Sequence, residues 1–255
     1  AATKIEGLTV IDNAAREPHV VDLANFLNSC GADITGAGTE VIKIRGVKKL
    51  HGVSYAIIPD MIEAGTYMMA AAATNCTLTI TNVIPKHLES ITAKLIDMGV
   101  SVTELDDSVI VSKRDTPLKK IKVKTFFYPG FPTDMNALIG VLLCLADGQS
   151  TITEGVFDNR FKYTDELIRM GANITVQGRT ATFEGKPELH PANIRAVDIR
   201  AGGAMVIAGL ATKGVTWIDD IYHIERGYEN LVEKLRAVGA DIKKVIIPEI
   251  TPNGK

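Results

Sequence analysis

The sequence is short of the residues and runs that mark several whole classes of protein. Of its 255 residues only three are cysteines. Cys30, Cys76 and Cys144 stand far apart with no CxxC pair, which speaks against a disulfide framework or zinc site and for a reducing, cytoplasmic setting. There is no run of about 18 apolar residues, so no membrane-spanning helix is expected. The first residues lack the basic stretch and apolar core of a secretory leader. A net charge of −2 lacks the basic excess of a general nucleic-acid or membrane-surface binder. Phosphate-loop, dinucleotide, zinc-protease and nucleophile-elbow signatures are all missing. What is present, 46% hydrophobic and 23% charged residues, is the composition of a globular chain. Its length accommodates one large domain or two smaller ones with a sizeable core.

The chain repeats itself. "FLNSCGADI", "KLIDMGVSV", "ELIRMGANI" and "KLRAVGADI" share one pattern, the end of an amphipathic helix, a glycine and the start of a strand. The glycines Gly31, Gly99, Gly171 and Gly239 fall at intervals of 68, 72 and 68 residues. Glycine belongs there because a left-handed residue terminates helices. Before each helix lies a β-like run, "LTVIDN", "LTITN", "STITEG" or "VTWIDD". After it come hairpin-like pairs such as "DITGAGTEVIKI" (33–44) and "NITVQGRTATF" (173–183). Apolar, small-residue helices beginning near Pro59, Pro132 and Asp198 precede the second, third and fourth β runs. Helices apolar all round are interior. The expected fold is therefore α/β, with interior helices, sheets outside and units of about 70 residues. "AATKIEG" reads as the last turn of a further buried helix, so the chain is expected to be the C-terminal part of a longer protein.

Polar groups open the three apolar helices at related places: Asp60 and Glu63, then Asp134, then Asp198 and Arg200. Symmetry would gather these helix starts at one end, where unpaired amides favour an anionic ligand. Thr133, Asp134 and Asp198 are also good capping residues, and a cap needs no ligand. Both readings stand on the sequence. Arg16, Arg160 and Arg226 recur in strand-to-helix loops, as forked anion contacts or as solvated surface charges. Phe157 shares the Arg160 loop as a core, hinge or contact residue. His19 and His223 lie near these arginines. The three cysteines read as small buried hydrophobes.

The strings "DNAAREPHVVDLANFL", "PDMIEAG", "FPTDMN", "VFDNRF" and "DDIYHIERGYE" resemble the enolpyruvyl transferases, in particular the UDP-N-acetylglucosamine 1-carboxyvinyltransferases of peptidoglycan synthesis. The resemblance covers essentially the whole chain in the family's order. It implies two domains, each an inside-out α/β barrel of three repeated units, with the active site between them. Residues 1–57 would then be the end of the first domain and 58–255 a complete second one. It implies transfer of enolpyruvyl from phosphoenolpyruvate to the 3-hydroxyl of UDP-N-acetylglucosamine with release of phosphate, without metal or organic cofactor. Asp134 would be the base near the sugar hydroxyl and also bind the nucleotide sugar, and Asp198 a second acidic group. Val156 and Phe157 would touch substrate, while Arg160, Arg200 and Arg226 would face phosphoenolpyruvate.

The family's loop cysteine and its lysine–asparagine pair have no counterpart here. The chain alone is therefore expected to hold one wall of the cleft and to be inactive, its partner being the missing N-terminal half. The sister transferase of the shikimate pathway and a non-catalytic module of the same fold are the alternative readings.

Overall fold

The computed structural model describes residues 1–186 and 188–246. The last nine positions of the expected second domain, 247–255, lie outside the described residues.

A small first unit contains β1 (Leu8–Asp12), α1 (Pro18–Ser29), β2 (Asp33–Thr35) and β3 (Val41–Arg45). Its strands form an antiparallel sheet in the order β1-β3-β2. Ala24, Ile34 and Ile42 make its own small core. Among the described residues, no hydrogen bond joins 1–57 to the rest of the chain. "AATKIEG" differs from expectation. It forms a 3₁₀ turn, Ala2–Lys4, in which Thr3 alone is buried, because Lys4 and Glu6 are charged and keep the turn in water.

The remainder alternates helices and strands. α2 (Met61–Thr74), β4 (Leu78–Thr81), α3 (Glu89–Asp97), β5 (Ser101–Glu104) and β6 (Ser108–Ser112) come first. They are followed by β7 (Lys122–Lys124), α4 (Asn136–Leu145), β8 (Gln149–Thr153), α5 (Thr164–Arg169), β9 (Asn173–Gln177) and β10 (Thr180–Glu184). Last come β11 (Asn193–Arg195), α6 (Ile199–Leu210), β12 (Trp217–Asp219), α7 (Tyr222–Glu225) and α8 (Leu231–Ala237). The sheets run β4-β6-β5, β7-β8-β10-β9 and β11-β12. The hairpins β2–β3, β5–β6 and β9–β10 are antiparallel. β7 and β8 are parallel across α4, and β11 and β12 are parallel across α6, the helix supplying the crossover that a parallel pair needs. The "VTWIDD" run is shorter than expected, pairing only from Trp217 to Asp219.

The three apolar helices α2, α4 and α6 pack against one another in all three pairings. Every residue of α4 from Asn136 to Cys144 is buried. Each fully buried leucine or isoleucine there contributes about 1.5–3 kcal/mol relative to exposure. α2 also lies against β4 and β6, α4 against β8 and β10, and α6 against β11. The four helix-ending glycines all have positive φ, between 85° and 99°, as the sequence pattern required. Cys30 and Cys144 are buried but Cys76 is exposed. It sits just past Asn75, the left-handed cap of α2, where the chain has left the core.

Candidate active site

Asp134 occupies a 3₁₀ turn, Thr133–Met135, that leads into α4. Pro132 in an extended conformation starts this turn, a position that its fixed φ suits. The carboxylate caps nothing: α4 has no side-chain cap. Instead Arg160 Nη2 donates to Oδ1 at 2.7 Å and Arg200 Nε donates to Oδ2 at 3.3 Å. The capping reading thus fails for Asp134. It holds at the other two helix starts, where Asp60 accepts from the Ile62 amide at 2.8 Å and Asp198 from the Ala201 amide at 2.7 Å.

Arg160 comes from the loop after β8, and its guanidinium lies 5.7 Å from the centre of the Phe157 ring. Phe157 itself is half exposed, so it is not a core residue. Arg200 belongs to the first turn of α6. Its guanidinium sits 5.4 Å from the centre of the buried Tyr228 ring, a contact worth about 0.5–2 kcal/mol. Thr66 of α2 holds the Tyr228 hydroxyl at 3.0 Å. Burial works against the Arg200 charge, but Tyr228, Asp134 and Asp60 outweigh it and raise its pKa above the ordinary value. One of its nitrogens, Nη1, is buried without a hydrogen-bond partner, a donor that an incoming acceptor would satisfy.

These groups line one cleft. Thr133, Asp134, Ala137, Arg160, Tyr163, Asp198 and Arg200 line one shallow, solvent-open pocket. The fold therefore brings together Asp134, Asp198, Arg160 and Arg200 from two helix starts and one loop, with Phe157 beside them. Val156 is near by virtue of the same loop, its amide donating to Glu154. Arg226 is not among the residues that line this pocket. It follows α7, is exposed and forms no ion pair among the described residues. Arg16 lies elsewhere and pairs with Glu40 in the first unit, the solvated surface reading.

Sequence reasoning missed the supporting residues. Glu154, Asn136, Tyr163, Thr66 and Tyr228 are all buried around the cleft. A buried glutamate ending a strand next to "GVF" was the one available signal, since a carboxylate is rarely buried unpaired. Two close approaches depend on glycine. A Cβ on Gly140 would stand 2.8 Å from the Tyr163 hydroxyl, and one on Gly203 2.8 Å from the Tyr228 hydroxyl.

This arrangement has relatives. The family profile described as EPSP synthase (3-phosphoshikimate 1-carboxyvinyltransferase) matches residues 1–235. UDP-N-acetylglucosamine 1-carboxyvinyltransferase 3 of Caldanaerobacter subterraneus subsp. tengcongensis is 58% identical over 245 residues, 96% of this chain and 58% of that protein. UDP-N-acetylglucosamine 1-carboxyvinyltransferase of Clostridium botulinum is 56% identical, with the same coverage of both chains. The crystal structure of the enolpyruvyl transferase NikO from Streptomyces tendae superposes with a TM-score of 0.84 at 31% identity, over 95% of this chain and 58% of that one. An EPSP synthase from Acinetobacter baumannii shares the fold, with a TM-score of 0.71 at 21% identity over 92% of this chain and 57% of that one. The chain spans 58% of the length of the two curated relatives named.

Proposed function

The chain belongs to the EPSP synthase family of enolpyruvyl transferases, and on that premise we propose that it forms one wall of a site moving enolpyruvyl from phosphoenolpyruvate to the 3-hydroxyl of UDP-N-acetylglucosamine. Identity of 56–58% to two proteins named for that sugar nucleotide, against 21% to the EPSP synthase structure, favours it over shikimate 3-phosphate as the acceptor. The reaction belongs to peptidoglycan synthesis, in the cytoplasm. In this reading residues 1–57 end a first domain. Residues 58–255 are a second, an inside-out α/β barrel of three units of about 70 residues.

The observation that carries the proposal is a single carboxylate, Asp134, held between two arginines from different elements. Phosphoenolpyruvate brings a phosphate and a carboxylate, both suited to forked guanidinium contacts. Their arrival gives Arg160 and Arg200 new partners and frees the oxygens of Asp134. The carboxylate then accepts the proton of the sugar hydroxyl as its oxygen bonds to C2 of phosphoenolpyruvate, while a general acid of the assembled site delivers a proton to C3. In the second step phosphate leaves C2 while C3 loses a proton, restoring the double bond as an enol ether. The arginines stabilise the charge on the departing phosphate. Asp198 is a second acidic group with one oxygen free of its capping bond. Val156 and Phe157 contact the sugar nucleotide, and Arg226 is a third guanidinium within this half. No metal or organic cofactor takes part. In this reading the other wall, with the loop cysteine, is the part of the longer relatives that this chain does not match.

Phosphate release from phosphoenolpyruvate and UDP-N-acetylglucosamine tests this directly. The chain alone is expected to release none. Joined to the complementary segment of a relative, it is expected to turn over with UDP-N-acetylglucosamine and not with shikimate 3-phosphate. Turnover by the chain alone, or a preference for the shikimate substrate, overturns the proposal.

A further inference from the structure

Among the side chains around the cleft, Glu154 is left without a task by the chemistry above. It lies just after β8, 1% exposed, and both of its carboxylate oxygens are engaged. Oε1 accepts from the backbone amides of Val156 at 2.9 Å and Phe157 at 3.1 Å. Oε2 accepts from the Thr133 hydroxyl at 3.0 Å and the Asn136 side-chain amide at 2.8 Å. Asn136 Oδ1 in turn accepts from the buried Tyr163 hydroxyl at 2.7 Å.

The two oxygens therefore grip different pieces of the site. One holds the loop that carries Phe157 and Arg160, and the other holds the turn that carries Asp134. Burial, the largest influence on Glu154, pushes its pKa up. Hydrogen bonds from Asn136 and from the Val156 and Phe157 amides overcome this and hold it below the ordinary value. A group retained in the core as a charge, with every bond directed at the two flanks of a cleft, does more than fill space.

We propose that Glu154 is a positioning residue, the joint that sets the Asp134 turn against the Val156–Arg160 loop and so fixes the Asp134–Arg160 geometry. Its consequence for turnover rests on the transferase reading.

Glutamine at this position keeps one acceptor oxygen, so only one of the two grips survives intact. If Asn136 flips to accept from the new amide, it gives up its bond from Tyr163. The first experiment is site-resolved amide exchange on E154Q without substrate. Exchange at Val156 and Phe157, or at Met135 and Asn136, is expected to rise about tenfold. Ile152 and Ala181 in the sheet beneath should not change, and the Arg160 side-chain NMR signal should shift. An unchanged exchange pattern and Arg160 signal, or faster exchange spread evenly through the sheet, overturns the proposal. Neither readout needs substrate, so neither depends on the transferase reading.

The second experiment measures turnover of E154Q in the chain joined to its complementary segment. A displaced base is expected to lower kcat by about a hundredfold while the KM values move far less. A fall in KM and kcat in equal proportion, or an unchanged kcat, overturns the role in catalysis. Should E154Q fail to fold, T133V removes one donor at nearly constant volume. It is expected to lower kcat with an unchanged melting temperature, and an unchanged kcat overturns the proposal equally. If the parent itself does not turn over, the transferase reading fails while the exchange measurement still decides the role of Glu154.

Discussion

Arg200 Nε lies 3.3 Å from Asp134 Oδ2, across 66 positions of sequence. The contact exists because the starts of α4 and α6 come together when the two helices pack side by side. It turns a residue well suited to capping a helix into one held by side chains from outside that helix. Asp60 and Asp198, at the corresponding starts, remain caps.

Replacing that carboxylate separates stability from activity. D134N leaves Arg160 and Arg200 without their counter-charge, but the pair is partly exposed and such ion pairs contribute about 0–1 kcal/mol. The melting temperature should move by a few degrees at most. Turnover of the complemented protein should fall by about 10²–10⁴-fold. A thermal melt and a phosphate-release assay on the same preparation check both halves.

Gly203 tests the ring beneath Arg200. The methyl of G203A would meet the Tyr228 hydroxyl at 2.8 Å and its Cζ at 3.0 Å, which forces Tyr228 to move. Overpacking of this kind costs about 1–3 kcal/mol. Y228F removes the nearest atom, so the double variant should recover part of the loss, measured by chemical denaturation as a non-additive cycle. Strictly additive effects would mean that Tyr228 is not the neighbour that resists the methyl.

Acid should reveal Glu154. Its folded pKa is depressed, so the stability it contributes is complete above the unfolded value, 4.5, and is lost as the pH falls through the folded value. The parent is therefore expected to lose stability below about pH 4.5 faster than E154Q. The gap between their melting temperatures, measured from pH 7 down to pH 3, should narrow. A constant gap would show that Glu154 has the same pKa in the folded and unfolded states.

The thiols should differ sharply in reactivity. Cys76 is exposed, with the Thr74 hydroxyl 3.4 Å from its sulfur. Burial pushes the Cys144 thiol up to about 12, which leaves almost no thiolate at neutral pH. Iodoacetamide on the native protein should mark Cys76 first and Cys144 only after unfolding, read by peptide mass. Comparable labelling of both would contradict the buried placement of α4.

Local chemistry made much of the fold legible. The helix-ending glycines need a left-handed φ, and all four have one. The hairpins "DITGAGTEVIKI" and "NITVQGRTATF" pair as their alternation requires. The helix after Asp134 is apolar on every side and is buried throughout. Cys76 misled because a small apolar residue beside a strand looks buried, and its exposure depends on where the α2 cap turns the chain.

By itself the sequence determined the periodic elements, the interior helices and the residue types gathered at their starts, all consequences of steric and hydrophobic preferences acting over a few residues. Only the tertiary structure decided the partners of those residues. Asp134 meets Arg160 and Arg200 from 26 and 66 positions away, and Glu154 joins a loop to a helix start. A hydrogen bond or ion pair is set by a few ångströms of separation in space. The sequence leaves that separation open until α2, α4 and α6 pack together.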